Sequence, residues 1–320
     1  MIGFPGVQTL DATGPAEVFA AAVRVVGRPV YEVVVASTAG GPIATSAGFT
    51  VGTRRLAGLS PRPRDTVLVA GGGEAPVRAA IADRRLTRWL VRAAPVVERL
   101  GSVCSGAFVL AAAGLLDGRR CATHWEACDR LAATRPAVTV DRDAIFVTDG
   151  PLWTSAGVTT GIDMALAMVE ADHGRRVVDE LAARLVLYAR RPGFQSQWSA
   201  ALVAQRAGSD PLGPVIAWAR AALDRPLAVD TLARRAGLSP RTFHRRCVEH
   251  LGTTPARLVA QLRLERARTL LTTSDLSVKE IAVHCGLRDG AQLARLCQRG
   301  LGVSPREYRA RFGDRAAARS

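Results

Sequence analysis

The strongest constraint on this chain is a near-repeat in its last third. VDTLARRAGLSPRTFHRRC (229–247) has an echo in VKEIAVHCGLRDGAQLARLC (278–297). Setting Gly237 on Gly286, 49 positions on, places Leu232-Ala233 on Ile281-Ala282, Ala236 on Cys285, Leu238 on Leu287 and Arg246 on Arg295. Phe243 meets Leu293 with a slip of one residue; in strict frame His244 falls on Leu293 and Arg245 on Ala294. Each copy reads as a short helix, a tight turn and a second helix. The small Ala lets two helices cross closely, and Gly accepts the strained backbone of the turn. Ser239-Pro240 supplies an N-cap and a first helical residue. In the second copy Arg288 stands at the cap position, so Asp289 is expected to cap instead. An amphipathic stretch, Pro255–Leu271, joins the copies and GVSPREYRARF (302–312) closes them. From Val215 onward the period is helical throughout, which predicts an all-α domain.

A helix-turn-helix places its second helix in the major groove of DNA. The exposed positions of the first reading helix are Arg241, Thr242, His244, Arg245 and Glu249. In the second, Gln292 and Arg295 are the base-reading candidates, with Gly290 and Ala291 allowing close approach. Arg bonds guanine bidentately, and His or Thr exchanges a hydrogen bond with a base edge. Read without a nucleic acid, the same residues form the solvated face of a helix bundle. Charge favours the DNA reading: residues 210–320 hold 20 Lys+Arg against 10 Asp+Glu, +10, whereas residues 1–209 hold 23 against 18, +5. Of the 43 basic residues 42 are Arg, which a GC-rich coding sequence also produces.

Two such units, so joined and closed, resemble the DNA-binding region of the AraC/XylS family over residues 212–312. The resemblance implies one helix per unit in the major groove, the long helix holding both on one DNA face. Successive grooves lie ~34 Å apart. Leu287 departs from the Phe common in the family, and Gly290 weakens the second reading helix.

The first 175 residues behave differently. Val30–Ala36, Thr66–Ala70 and Leu100–Val103 read as strands, and Asp83–Ala93 and Ala107–Leu116 as helices. This alternation predicts a largely parallel sheet covered on both faces. Ala144–Val147 and Leu152–Ser155 flank Asp149-Gly150-Pro151 as a hairpin, and helices follow at Thr160–Asp172 and Val177–Tyr188. Pro192, Gly193, Pro211, Gly213 and Pro214 then break the pattern. The expected division is an α/β domain over 1–190, a linker over 191–213 and the helical domain over 214–320.

Within the α/β half, GSVCSGAFVLAAAGLL (101–116) reads as a strand, a sharp turn at Cys104 and a helix from Gly106. Such an elbow points its side chain into a cleft at the sheet edge, where the helix N-terminus is expected to stabilise a thiolate. VAGGG (69–73) offers the backbone N–H groups of Gly71, Gly72 and Gly73 to an oxyanion. LDATGPAEVF (10–19) brings Asp11 and Glu17, and THW (123–125) brings His124. The plainer reading makes Cys104 a packing thiol and the two carboxylates helix-start caps.

FPGVQTLDATGPAEVF, SVCSGAFVLAAAGLLDGRRCATHW and TSAGVTTGIDMAL (154–166), in this order, resemble the DJ/PfpI branch of the class I glutamine amidotransferase-like superfamily over residues 1–190. RRPGFQSQW (190–198) is similar to the join in its regulator subgroup, where this domain is fused to an AraC-type region. The resemblance implies a flavodoxin-like parallel-sheet sandwich followed by the two helix-turn-helix units, and a transcription regulator whose α/β domain binds an effector. The peptidase branch has His directly after the elbow Cys, where this chain has Ser105, so its machinery is incomplete. Isonitrile hydratases pair an elbow Cys with the Asp of an LD-x-x-GP motif, and Cys104 and Asp11 match both. Three readings follow: a sensor of a small nitrogen-containing metabolite, a bifunctional isonitrile-hydratase- or amidase-like enzyme, and a thiol-based redox or electrophile sensor.

The expected partners are double-stranded DNA, a small-molecule effector, a second copy through the N-terminal domain and, for an activator, RNA polymerase. No cofactor is expected. Cys121, His124 and Cys128 lack a fourth ligand, so no metal is expected either. Asp11 and Glu17 interrupt the N-terminal apolar stretch, and Leu100–Leu116 is short and rich in small residues. Neither a secretion signal nor a membrane span is expected, which places the chain in the cytoplasm with its six Cys reduced. Only Met1–Phe4 precede the turn at Pro5-Gly6, against ~5–6 residues in a usual strand, so the native start is expected several codons upstream.

Overall fold

The computed structural model describes residues 1–187, 190, 191, 193, 197, 212–251, 253–301 and 303–312. The chain divides into two units, Met1–Gln197 and Trp198–Ser320.

The first unit is a three-layer α/β sandwich. Its strands are β1 (Ala36–Ser37), β2 (Gly41–Ala44), β3 (Thr50–Arg55), β4 (Thr66–Val69), β5 (Arg99–Val103), β6 (Arg120–Cys121), β7 (Thr139–Val140), β8 (Phe146–Asp149) and β9 (Leu152–Ser155). One sheet segment runs β2-β3-β1, another β4-β5-β9-β8. Ile2 joins them, bridging Ala36 on one side and Val69 on the other, both in parallel. Only the β2–β3 and β8–β9 pairs of these segments are antiparallel.

Helices α1 (Thr9–Val26), α2 (Glu74–Ala82), α3 (Arg84–Ala93), α4 (Gly106–Ala112), α5 (Cys128–Thr134), α6 (Thr160–His173) and α7 (Arg175–Arg184) cover the sheet. Strand alternation sorts the core. Val67 and Val69 pack with Val77, Leu86, Trp89 and Leu110 of α2, α3 and α4. Leu68 and Val103 pack with Val18, Phe19, Met164 and Leu181 of α1, α6 and α7 on the other face.

The structure corrects several expected elements. Of Val30–Ala36 only the end enters the ladder: Val34 and Val35 accept single hydrogen bonds from Met1 and Arg54, while Glu32 and Val33 diverge into solvent. The β2–β3 hairpin has no signal in the sequence, because it buries just Ile43 and carries no alternating apolar pattern. Helix α2 was also unmarked, being short and half-exposed. Helix α4 stops at Ala112 ahead of Gly114, and α7 ends at Arg184; Tyr188 lies outside the described residues. Residues 191, 193 and 197 of the expected linker are hydrogen-bonded into the α/β unit. Positions 194–196 and 198–211 are outside the described residues.

The second unit holds α8 (Leu212–Ala221), α9 (Val229–Arg235), α10 (Pro240–Leu251), α11 (Pro255–Thr273), α12 (Val278–His284), α13 (Gly290–Leu301) and α14 (Pro305–Phe312). Leu258, Val259 and Leu262 of α11 join a core with Leu232, Phe243 and Cys247. Further along the same helix Ala267 and Leu271 are buried where α11 packs on α12, α13 and α14. Nineteen residues span roughly 28 Å, so one helix backs both helix-turn-helix motifs of this unit.

Candidate ligand site and nucleic-acid interface

Strand β5 ends at Val103, and Cys104 takes φ 57°, a left-handed conformation uncommon for a side-chain-bearing residue. The elbow therefore exists, and the thiol sits in a close cage. A Cβ on Gly157 would lie 2.3 Å from the Cys104 Cβ, and one on Gly71 would lie 2.8 Å from it. Gly157 itself has φ 103°, so both space and backbone require glycine there. Asp11, in the first turn of α1, is fully buried beside the thiol. Its Oδ1 accepts from the Val158 N–H at 2.7 Å and its Oδ2 from the Gly71 N–H at 3.2 Å.

Burial raises the Asp11 carboxyl to about 6, against the opposing pull of the bonds from Val158, Gly71 and the Cys104 thiol. Burial, and then the charge of Asp11, pushes the Cys104 thiol up to about 12. Desolvation and the neighbouring carboxylate thus act against the thiolate expected at this elbow. The expected oxyanion cradle is also largely spent. The Gly71 N–H serves Asp11; the Gly72 N–H donates to Ser105 Oγ at 2.9 Å, and that hydroxyl donates to the Gly72 carbonyl at 2.7 Å. Gly73 is the N-cap residue of α2.

Two other expected residues stand apart. Glu17 comes six residues after Asp11, about 240° around α1, and is exposed in an ion pair with Arg24 at 2.8 Å. His124 faces Glu126, 3.7 Å from Nδ1, and Trp125; burial lowers its pKa against the pull of Glu126. The residue of THW that reaches the elbow is Thr123, whose hydroxyl donates to the Cys104 carbonyl at 2.9 Å. Thr123, Gly157 and Val158 stood inside the quoted motifs, yet no local pattern marks a contact such as Val158 to Asp11, 147 residues apart.

In the helical unit both turns are closed by Gly at φ 64°, Gly237 and Gly286. The second turn is one residue longer, so the frame is 49 up to it and 50 beyond: α9 and α12 start at 229 and 278, α10 and α13 at 240 and 290. Phe243, Cys247 and Leu251 correspond to Leu293, Cys297 and Leu301, all buried. The residue matching Arg295 is therefore Arg245, not Arg246. Ser239 caps α10 through the Thr242 N–H, and Asp289 caps α13 through the Gln292 N–H.

Arg241, His244, Arg245 and Glu249 are exposed along α10, as are Ala291 and Arg295 along α13. Arg245 and Glu249 form a loose exposed pair at 3.8 Å. Thr242 and Gln292 are half-buried and partly engaged. The Thr242 hydroxyl meets Ser239 Oγ at 2.9 Å, and Gln292 Oε1 accepts from the Arg288 N–H, leaving its amide nitrogen for a further bond. Among the described residues no cluster could hold a metal ion, and no helix is long and apolar enough to cross a membrane.

A parallel sheet with a strained Cys elbow, joined to paired helix-turn-helix units, defines a class of protein that known sequences confirm. Residues 1–171 match the DJ-1/PfpI family and residues 232–311 a helix-turn-helix domain. The HTH-type transcriptional regulator GlxA of Rhizobium meliloti is 36% identical over 293 residues, covering 90% of this chain and 87% of that one. The HTH-type transcriptional regulator CdhR of Pseudomonas aeruginosa is 33% identical, covering 86% and 81%. An isonitrile hydratase of Pseudomonas putida is 34% identical, covering 60% of this chain and 79% of its own. The chain belongs to the DJ-1/PfpI family, in the group that carries an AraC-type helix-turn-helix region, and is a DNA-binding transcriptional regulator.

Proposed function

We propose that the α/β unit senses a small nitrogen-containing metabolite without turning it over, and that the helical unit reads an operator through Arg241, Thr242, His244 and Arg245 on α10 and Gln292 and Arg295 on α13. The supporting observation is how the elbow is wired. Its thiol is held protonated beside a buried carboxylate, and two of the three glycine amides that could stabilise an oxyanion are already bonded within the protein. Such a site offers hydrogen bonds to a neutral or cationic nitrogen compound and little help to a developing negative charge. The protein acts in the cytoplasm as a homodimer through its α/β unit, with RNA polymerase as partner where it activates. These readings rest on the regulator family, and the DNA reading also on the excess of 20 Lys+Arg over 10 Asp+Glu in residues 210–320.

The test is a shift assay of the full chain on its own upstream DNA, titrated with amines, amides and isonitriles, alongside a turnover assay of the same compounds. A shift altered by one compound that is recovered unchanged supports sensing. The identity to an isonitrile hydratase, together with the Cys104–Asp11 pair, favours a second reading in which the unit hydrates isonitriles. Catalytic turnover lost in Cys104→Ser would establish it and displace the first.

A further inference from the structure

Arg191 and Gln197, near the C-terminal end of the α/β unit, are tied one to each wall of the elbow site. One wall is the turn 157–159. Val158 holds φ 53°, strained for a β-branched residue, while its N–H serves Asp11 and Gly157 encloses the thiol. The next residues are gripped by Arg191. Its guanidinium bonds Asp163 through Nε at 2.9 Å and Nη2 at 2.6 Å, and reaches the Thr159 hydroxyl at 2.8 Å. The Arg191 N–H closes the clasp on Asp163 Oδ1 at 3.0 Å. Asp163 is buried while the Arg191 side chain is 32% exposed, so water screens the pair from the arginine side only.

The other wall is Thr123, bonded to the Cys104 carbonyl. Its own carbonyl accepts from Gln197 Nε2 at 3.0 Å, and the same amide reaches the Ala144 carbonyl at 3.1 Å. Gln197 N–H donates to the Asp143 carbonyl at 2.8 Å. Between the two clasps the Gly193 carbonyl accepts from the Phe146 N–H at 2.9 Å. Gln197 Oε1 is buried with no hydrogen-bond partner among the described residues, so this second clasp is less fully satisfied than the first.

We infer that Arg191, Gly193 and Gln197 act as the output strap of the elbow site: seated while Val158 bonds Asp11 and Thr123 bonds the elbow, and shifted when an occupant takes over those bonds. A molecule that hydrogen-bonds Asp11 displaces the Val158 N–H, the strained turn relaxes, and Thr159 and Asp163 move against Arg191. The change is delivered where the chain leaves the unit. The inference rests on the sensing reading of the site and names its first mechanical step.

Coupling of this kind is reciprocal, so it can be measured from either end without an effector. Amide hydrogen exchange on the full chain is the readout. In Arg191→Ala the Val158 amide should exchange about tenfold faster, and in Asp11→Ala the Arg191 and Gln197 amides should do likewise. Leu86→Ala, in the core on the other sheet face, serves as control at a temperature where both melt equally. Val158 unchanged in Arg191→Ala, or accelerated as much in the control, overturns the strap. Should Asp11→Ala fail to fold, the Arg191→Ala measurement decides alone. Coupled exchange in a protein whose DNA shift answers no nitrogen compound would remove the sensing reading and leave the strap. Effector-dependent shift with uncoupled exchange would remove the strap alone.

Discussion

The two units use side chains in opposite ways. The α/β unit turns its chemistry inward: Asp11 is fully buried, Cys104 and Val158 hold left-handed backbone, and glycines close around the thiol. The helical unit turns its chemistry outward. Its core is mainly aliphatic, with Phe243 and Cys247 among Leu, Val, Ile and Ala, while Arg241, His244, Arg245 and Arg295 stand in solvent. A site that must enclose a small molecule needs desolvation and fixed donors; a surface that must meet a polyanion needs exposed charge and a rigid backing. Substitutions at the functional side chains should therefore strike stability in the first unit and affinity in the second.

The largest effect is expected from Gly157→Ala, which puts a methyl 2.3 Å from the Cys104 Cβ on a backbone at φ 103°. A loss of about 4 kcal/mol is expected in the α/β transition on thermal unfolding, from overpacking and backbone strain together. A loss below about 1 kcal/mol would show the cage to be loose.

Next come the two helix-turn-helix glycines, which share φ 64° and differ in surroundings. A Cβ on Gly286 meets the Leu223 carbonyl oxygen at 2.0 Å, whereas one on Gly237 meets nothing within 4 Å. Gly286→Ala should cost about 3 kcal/mol in denaturant unfolding and Gly237→Ala about 1 kcal/mol. Equal losses would erase the contrast between the two turns.

The buried carboxylate predicts a pH dependence of similar or smaller size. Asp11 rises from 3.8 to about 6 on folding, so between those values the folded chain holds a proton that the unfolded chain has lost. Stability of the α/β unit should fall as pH rises from about 4 to 6, by roughly 2–3 kcal/mol, and Asp11→Asn should flatten that slope. A stability curve identical in the variant would detach Asp11 from the effect.

The smallest effects on stability belong to the DNA face. Arg245→Ala and Arg295→Ala, equivalent positions in the two reading helices, should each weaken specific operator binding by about 1–3 kcal/mol while melting is unchanged. Gel shift against melting temperature separates the two. Loss of binding only through loss of fold would mean these residues do not face DNA.

What the sequence determined by itself were features written in neighbouring residues. Gly237 and Gly286 mark both turns, Asp289 is readable as a cap, and the run from Val103 to Gly106 marks the elbow. Local backbone preference and side-chain period carry such information, because each depends on a few successive positions. The tertiary structure alone decided how those features combine. It set Arg245 opposite Arg295 through one extra turn residue, turned Glu17 outward on α1, and chose Thr123 over His124 at the elbow. It also raised the thiol that the elbow pattern had implied would be ionised. Burial, and the approach of Val158 to Asp11 across 147 residues, are properties of packing between distant segments, and no local pattern encodes them.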